Sequence, residues 1–547
     1  MKKIAKLAEL ARSCFSALKS GDRKEKQEAA LSLFLWCLFV FVLLSTSIYT
    51  IWTFRAEFHS DAATAAMIAP FQQKEGALLL DEWYYSQDFW PFFVFNPVLL
   101  LKPILHSDYL ATQVPVLIQT LLLMLLSMAL LGKVYKSKLN ILVLSMIFSI
   151  GTAVWIGPLF GQGQYGNVIL WVLLSIWLTL ELLDAKKTWK RYTLLAVTWI
   201  LVCYINTTSV RYLPFFAIPM LAALIVKMML AAQREVRRRC LLALCTIASA
   251  AVVGYLGFGA LCENYHYNPG NTESILISNE RIVQKNISNL VYAFLTLGAG
   301  GGGKELVSLD GVYYLYAFFG FCAMALLPIW ACIRFFRKKQ WEERPNALLL
   351  VCFFITVTFI SVICMLMTNL DNTGRYLMVA IYCGFLVLPI LLEALEGHMG
   401  RKLLACILCV PVIVGGMFKL NEPLGKPIKE DNVIACLKEN GLEQGYADFW
   451  VADKFTVLSN HEIQIAHINV GDMSPFMFMA CPEQYQHTQN DRYFLLLREE
   501  DVEAAQNSPI EEYMGSPEEI ITCESYQIWV YDQPFYGNMP WTFETEG

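Results

Sequence analysis

Runs of about 20 apolar residues recur along the first 419 residues of this 547-residue chain, and they constrain its fold more than any other feature. A run of that length crosses the hydrocarbon core of a bilayer as a single helix. Hydrophobic residues make up 56% of the chain and charged residues only 16%, with a mean hydropathy of +0.45, which excludes an ordinary water-soluble protein. The sequence therefore predicts a multi-pass membrane protein.

Eleven of these runs qualify or nearly qualify as membrane spans. We place them at residues 29–52, 110–131, 139–158, 167–183, 192–206, 212–230, 240–262, 312–333, 347–367, 376–395 and 402–418. The first run is too long for the apolar core of a signal peptide and has no small-residue cleavage site, so we interpret it as an uncleaved anchor. The run at 192–206 is the weakest, because it is short and ends in polar residues.

The charge pattern divides the chain near residue 420. Residues 1–419 carry 36 basic and 24 acidic side chains, whereas residues 420–547 carry 6 and 23. If the spans alternate from a cytoplasmic N-terminus, 27 of those 36 basic residues fall on the cytoplasmic side, as the positive-inside rule requires. This predicts a cytoplasmic segment at 1–27, a membrane domain at 28–419 and an outer acidic domain, in what we expect to be a bacterial cytoplasmic membrane. Basic clusters separated by apolar runs do not favour nucleic-acid binding.

The residues after 420 alternate strand-like and helix-like runs. The strand-like runs are 449–452, 462–470, 493–498 and 527–531, and the helix-like runs are 431–439 and 502–506. Such a mixture predicts a small α/β domain. The fold class expected for the chain is an all-α polytopic membrane bundle followed by this small α/β domain.

The cysteines show no pattern typical of redox or metal chemistry. Most of the 16 lie inside apolar runs, where a thiol behaves as a small hydrophobe. Cys436, Cys481 and Cys523 lie in the acidic domain, where three is an odd number and their spacing does not match a metal site. We therefore do not expect redox chemistry.

The predicted outer loop at 55–109 is long for a connection, and loops of that length are usually functional or disordered. Eight aromatic residues fall between positions 83 and 95, which excludes disorder. We expect one or two amphipathic helices lying in the outer interface. Most of the rings are then expected to form an aromatic belt at headgroup depth.

Asp61 follows the first span and precedes an alanine-rich helical run. A carboxylate at the mouth of a helical bundle can remove a proton from a substrate hydroxyl, so Asp61 is a candidate general base. Ser60 or Asp61 is equally suited to cap the helix that follows.

Other polar residues of the same loop are candidates for substrate binding, namely His59, Asp81 and Glu82. A second carboxylate near Asp61 would have to come from Asp81, Glu82 or Asp88. His59, Asp61, Asp81 and Glu82 have side chains that can ligate Mg²⁺ or Mn²⁺, although we do not predict a metal site.

The first-loop acid Asp61, the long outer loop, the roughly eleven spans and the outer C-terminal domain together resemble the GT-C class of glycosyltransferases. Members include the protein O-mannosyltransferases and the bacterial aminoarabinose transferases. The resemblance covers the architecture of the whole chain, but its motifs are short. It implies a sugar donor on a polyprenyl phosphate, a glycan, lipid or protein acceptor, and Asp61 as the base of an inverting transfer. The family's first-loop acid often has an acidic neighbour, whereas Asp61 lies between Ser60 and Ala62, which disfavours a metal-bound diphosphate donor.

The tripeptide Arg-Tyr-Leu opens the tenth predicted span at 375–377 and recurs at 211–213. It resembles the Arg-Tyr-Leu found before a late span in many GT-C enzymes. An arginine there can bind a lipid-linked phosphate and stabilise charge on the leaving group. We favour Arg375 over Arg211 for this role and expect Tyr376 beside the substrate. The alternative is an interfacial arginine that only anchors its helix and pairs with Asp371 four residues earlier.

The loop at 157–167 carries amides, among them Gln162, and the tyrosine Tyr165, which are suited to hydrogen-bonding a sugar, although its glycines also suit a tight reversal. A lipid-linked-sugar transporter or flippase is the main alternative function. Against an ion-coupled carrier, the predicted spans hold almost no ionisable residues near the midplane. A polysaccharide polymerase or ligase with a diphosphate-linked donor is the second alternative, and a non-catalytic scaffold is the third.

Overall fold

A computed structural model describes residues 22–89, 97–150, 152–268, 277, 280–298, 305, 307–369 and 373–543. Most of the predicted cytoplasmic segment 1–27 lies outside these residues. So do four of the first-loop aromatic residues, Trp90, Phe92, Phe93 and Phe95.

Nine helices within the described ranges are long and apolar enough to cross a membrane. They are Arg23–Ile51, Asp108–Val134, Gln164–Asp184, Leu213–Leu230, Arg234–Asn264, Leu309–Arg337, Pro345–Met367, Gly374–Leu395 and Met399–Leu420. Each overlaps one of the eleven predicted spans. The chain is a multi-pass membrane protein.

Two predicted spans differ from the structure. The run at 139–158 is not a single helix, because it contains helices at Asn140–Ile147 and Ala153–Ile156 and a π-helical turn at Gly157–Gly161. The indole N–H of Trp155 donates to the Ile147 carbonyl at 3.1 Å. This bond satisfies a backbone acceptor at the end of the helix Asn140–Ile147. The run at 192–206 lies in the helix Thr188–Thr208, which is long enough to span but is not among the nine apolar helices.

Three further helices connect the spans. They are Ser60–Glu75, Val98–Leu105 and Glu280–Gly298. The first of these, which we call the first-loop helix, is not the amphipathic helix that was predicted, because protein encloses most of it. Its alanines are almost completely buried, because it packs between the helix Asp108–Val134 and the C-terminal domain. The predicted aromatic belt is also wrong for three of its residues, since the side chains of Trp83, Tyr85 and Phe89 are fully buried within the protein.

The C-terminal domain, residues 420–543, contains a six-stranded mixed sheet. Its strands are β1 (Gln444–Ala447), β2 (Gln464–Asn469), β3 (Ser474–Pro475), β4 (Tyr493–Arg498), β5 (Glu519–Cys523) and β6 (Tyr526–Tyr531). Their order is β3-β2-β1-β4-β6-β5, with β1 parallel to β2 and β4 and the remaining pairs antiparallel. The α-helices of the domain are Lys429–Glu439, Phe449–Leu458, Val502–Gln506 and Ile510–Met514.

The predicted α/β character of this domain is confirmed, although one of the predicted strands is wrong. The run at 449–452 is the first turn of a helix and not a strand, because the Asp448 side chain accepts a hydrogen bond from the Trp450 amide at 3.0 Å and caps it. A short apolar run does not by itself distinguish a strand from a helix.

The C-terminal domain packs against the loop that follows the first span. Tyr84 pairs with Ala480 in an isolated β-bridge, and Arg55 forms an ion pair with Asp431 at 2.6 Å. These contacts fix the sheet over one end of the helical bundle.

Candidate functional site

A cavity of about 380 Å³ lies between the helical bundle and the C-terminal domain. Charged and amide side chains from the membrane part line one side: Asp61, Gln87, Asp88, Gln164, Arg211, Asn268 and Arg375. The C-terminal domain supplies the other side with Asp448, Phe449, Trp450, Ile468, Asn469, Phe476, Phe478 and Met479. The cavity therefore joins two arginines and two membrane-domain carboxylates that are far apart in sequence.

Asp61 lies in the first turn of the first-loop helix. The turn is held in place because the Ser60 hydroxyl donates to the carbonyl of Phe449 in the C-terminal domain. A carboxylate in a first helical turn is stabilised by the partial positive charge of the helix N-terminus. The capping alternative is wrong for both residues, because His59 occupies the N-cap position and no side chain forms a capping hydrogen bond there. The Asp61 side chain instead lines the cavity.

The surroundings of Asp61 act on its pKa in opposite directions. Burial raises the pKa most strongly, while the nearby charges of His59, Arg375 and Arg211 lower it and that of Asp453 raises it. The net effect is a pKa above the ordinary aspartate value. A raised pKa brings a carboxylate closer to the working range of a general base at neutral pH.

His59 lies beside Asp61 but does not line the cavity. Its ring packs edge-on between Phe54 and Trp450, with centroid distances of 6.2 and 6.1 Å. The His59 ring therefore lies between the end of the first span and the C-terminal domain. Burial lowers the pKa of His59.

Arg211 is paired with Asp88. Its Nη2 lies 3.2 Å from Asp88 Oδ2 and donates to Gln87 Oε1 at 2.9 Å. The Asp88 side chain is only 1% exposed, so its charge needs a counter-ion close by. Asp88 thus neutralises much of the positive charge of Arg211 within the protein.

Arg375 lies in the 3₁₀ turn Gly374–Leu377 that opens a membrane span. Its guanidinium lies 5.5 Å from the centre of the Tyr376 ring, and its Nε is buried without a hydrogen-bond partner. Within the part of the chain that the structure describes, no carboxylate forms an ion pair with Arg375, and the expected partner Asp371 lies outside that part. Among the described residues, Arg375 is thus a half-buried cation at the cavity whose donors can bind an anion.

The loop at 157–167 reaches the cavity through a different glutamine from the one predicted. Gln164 lines the cavity, whereas Gln162 lies behind it and donates from Nε2 to Gln164 Oε1 at 3.2 Å. The next residue, Tyr165, is buried close to Arg211 and Arg375, and its hydroxyl has no hydrogen-bond partner among the described residues. Tyr165 is the tyrosine of the loop that the sequence analysis selected, and it lies beside the two arginines without lining the cavity.

Asp81 and Glu82 lie outside the cavity, because they occupy a turn that faces solvent. The second carboxylate is instead Asp88, seven residues further along the loop than Asp81. No group of three or more His, Cys, Asp or Glu side chains within the described ranges is arranged to hold a metal ion.

The wall from the C-terminal domain is aromatic and polar. Trp450 is 51% exposed at the start of the helix Phe449–Leu458, and Asn469 is exposed at the end of β2. Asp448 is held by an ion pair with Arg498 at 3.2 Å. Aromatic faces with hydrogen-bonding side chains beside them suit a ligand that is both apolar and rich in hydroxyls.

A buried pair lies directly behind that wall. Asp453 and His467 are 0% exposed and hydrogen-bonded to each other, and Asp453 is close enough to Asp61 to raise its pKa. His467 is thus a core histidine whose ring is held by a carboxylate.

The comparisons with known proteins do not assign this cavity to a family. No protein-family model matches the chain, and no curated protein is similar to it at a significant level.

Proposed function

We propose that the protein is a membrane glycosyltransferase that moves a sugar from a polyprenyl phosphate to an acceptor hydroxyl on the outer face of the membrane. The observation that carries this proposal is the shared cavity of Asp61 and Arg375. A carboxylate and an arginine without a described ion-pair partner there combine the base and the phosphate ligand that such a transfer needs.

In the proposed reaction, Asp61 accepts the proton of the acceptor hydroxyl as its oxygen attacks the anomeric carbon. The bond between that carbon and the phosphate oxygen breaks on the opposite face, so the configuration inverts. The electron pair of the broken bond stays on the phosphate, and Arg375 stabilises the resulting charge. The products are the glycosylated acceptor and a polyprenyl phosphate.

The different partners of the two arginines support Arg375 as the phosphate ligand. Binding phosphate at Arg211 would compete with the buried Asp88 charge, which is 3.2 Å away. Arg375 has no such competitor among the described residues, and it begins a membrane span, where a lipid phosphate is expected at the same depth.

The acceptor is proposed to approach along the C-terminal domain. Trp450 and Asn469 line the cavity opposite Asp61 and Arg375, so an acceptor on this wall would face the base. Residues of this wall are therefore expected to change acceptor use and not donor binding.

A transporter or flippase would also bind a lipid-linked sugar, but it would leave the sugar–phosphate bond intact. A polymerase or ligase would release a diphosphate instead of a monophosphate. Product analysis separates all three, because only the proposed reaction releases polyprenyl monophosphate.

The test uses purified full-length protein in lipid nanodiscs and a radiolabelled polyprenyl phosphate. Arg375→Ala should weaken binding by about 10- to 100-fold, since one or two charge-assisted hydrogen bonds are lost. Arg281→Ala removes an exposed arginine outside the cavity and is the matched control. Unchanged affinity in Arg375→Ala would assign Arg375 to helix anchoring.

A further inference from the structure

Two cysteines of the C-terminal domain lie on elements that pack together. Cys436 lies on the helix Lys429–Glu439, and Cys523 ends strand β5. The Cys523 thiol donates to the carbonyl of Asn432 at 3.7 Å. Cys436 follows Asn432 by four residues, which places it on the same face of the helix one turn further along.

A second contact fixes the same junction. The Asn432 amide donates to Glu524 Oε1 at 2.7 Å, so the residue after Cys523 is also tied to this helix. The helix Lys429–Glu439 and strand β5 pack against each other, and both cysteine side chains are half-buried. Two independent contacts therefore bring the cysteines together.

The third cysteine of the domain has different surroundings. Cys481 is buried beside the turn Pro482–Tyr485, where its backbone amide donates to Gln484 Oε1 at 2.9 Å. The three cysteines whose odd number argued against redox chemistry in the sequence analysis are thus one adjacent pair and one separate thiol.

We propose that Cys436 and Cys523 form a disulfide bond in the mature protein. The proposal rests on the outer location of the C-terminal domain that the charge pattern predicts, and it does not depend on the glycosyltransferase activity. Disulfides form and persist outside the cytoplasm but are rare within it.

The reaction joins the two sulfur atoms as both thiols lose a proton and the pair loses two electrons. The oxidant is the disulfide of a thiol–disulfide oxidase, which is reduced to a dithiol. Burial, followed by the contact with Cys436, raises the pKa of Cys523 to about 11, so little reactive thiolate forms at neutral pH in the folded domain. The bond is therefore expected to form during folding and to resist reduction until the domain opens.

The bond would connect the two ends of the domain. The helix Lys429–Glu439 is the first after the last membrane span, and β5 is an edge strand of the sheet. The closed loop contains β1 to β4, so the bond restricts most of the unfolded domain. It also holds an edge strand that has no partner strand on its outer side among the described residues.

The test is thiol mapping of full-length protein purified from a membrane facing an oxidising compartment. The protein is denatured and alkylated with N-ethylmaleimide before reduction, then digested and analysed by mass spectrometry. We expect one linked peptide pair containing Cys436 and Cys523, with Cys481 alkylated. Recovery of both cysteines as alkylated peptides without reduction would overturn the proposal.

Two variants keep the test decisive. Cys523→Ser should add one alkylated site at Cys436, whereas Cys481→Ser should leave the linked pair unchanged. Reduction of the unmodified protein should lower the melting temperature of the C-terminal domain by roughly 10 °C, because a large closed loop is opened. No shift on reduction, with both thiols free beforehand, would also contradict the bond.

Discussion

Replacement of Asp61 by asparagine keeps the size of the side chain and removes the proposed base. A positioned general base accelerates proton transfer by about 10²- to 10⁴-fold, which corresponds to about 2.7–5.4 kcal/mol of transition-state stabilisation. We therefore expect sugar transfer by Asp61→Asn to fall by at least about 10²-fold. Binding of the polyprenyl phosphate should change little, because Arg375 is retained.

The same change should not destabilise the protein. Burial is the largest influence on Asp61 and raises its pKa, so the surroundings favour the neutral form. The stability that this group contributes is present below the ordinary aspartate pKa and is lost as the pH rises through the higher folded-state pKa. The neutral amide of the Asp61→Asn variant avoids that loss, and its melting temperature at neutral pH should remain equal to wild type or rise.

The assay measures polyprenyl monophosphate released from a radiolabelled polyprenyl-phosphate sugar at saturating acceptor. Asp81→Asn is the matched control, since it removes an exposed acid of the same loop that lies outside the cavity. The wild-type rate should also fall as the pH drops through the raised pKa of Asp61, at a pH above the ordinary aspartate value. Transfer by Asp61→Asn within about threefold of wild type would refute the role of Asp61 as base.

Two further substitutions test how the arginines are held. Arg211→Ala should destabilise the protein by about 3–5 kcal/mol, because it leaves the buried Asp88 charge unpaired, and adding Asp88→Asn should restore most of the melting temperature. Gly374→Ala would place a methyl group 2.8 Å from the Ala293 carbonyl and displace the turn that carries Arg375, so polyprenyl-phosphate binding should weaken. Gly400→Ala, with no atom within 4 Å of the added carbon, is the control. Full melting temperature in Arg211→Ala, or unchanged binding in Gly374→Ala, would contradict these assignments.

The apolar runs predicted the membrane helices well, because a bilayer imposes length and composition on each span directly. The predicted span at 139–158 differs from the structure for a local reason. The Trp155 side chain satisfies the backbone of the preceding helix, and a hydropathy pattern does not contain that contact.

The sequence predicted which charged residues lie on the outer side, but it did not predict how they are arranged. Alternation of the spans placed Asp61, Arg211 and Arg375 on one side, whereas their common cavity depends on how the helices pack. Arg211 differs from Arg375 because it forms an ion pair with Asp88, which lies 123 residues earlier in the chain. Asp81 and Glu82 have the same charge and occur in the same loop, so only the fold distinguishes them from Asp88.

The wall from the C-terminal domain was the least predictable part. Trp450 and Asn469 belong to a helix and a strand of a domain that begins after the last span, and they meet Asp61 only through contacts between domains. The sequence pattern favours a strand at 449–452 and so does not indicate the capped helix that presents Trp450. Long-range packing of this kind leaves no periodic signal in a single sequence.

The most direct test of the account is a structure of the full-length protein in nanodiscs with a bound polyprenyl-phosphate sugar, determined by electron cryo-microscopy. We predict that the phosphate lies within hydrogen-bonding distance of Arg375 and that the sugar enters the cavity that Asp61 and Arg375 share. A phosphate bound at another site, with Arg375 turned towards lipid and the cavity empty of sugar, would contradict the account.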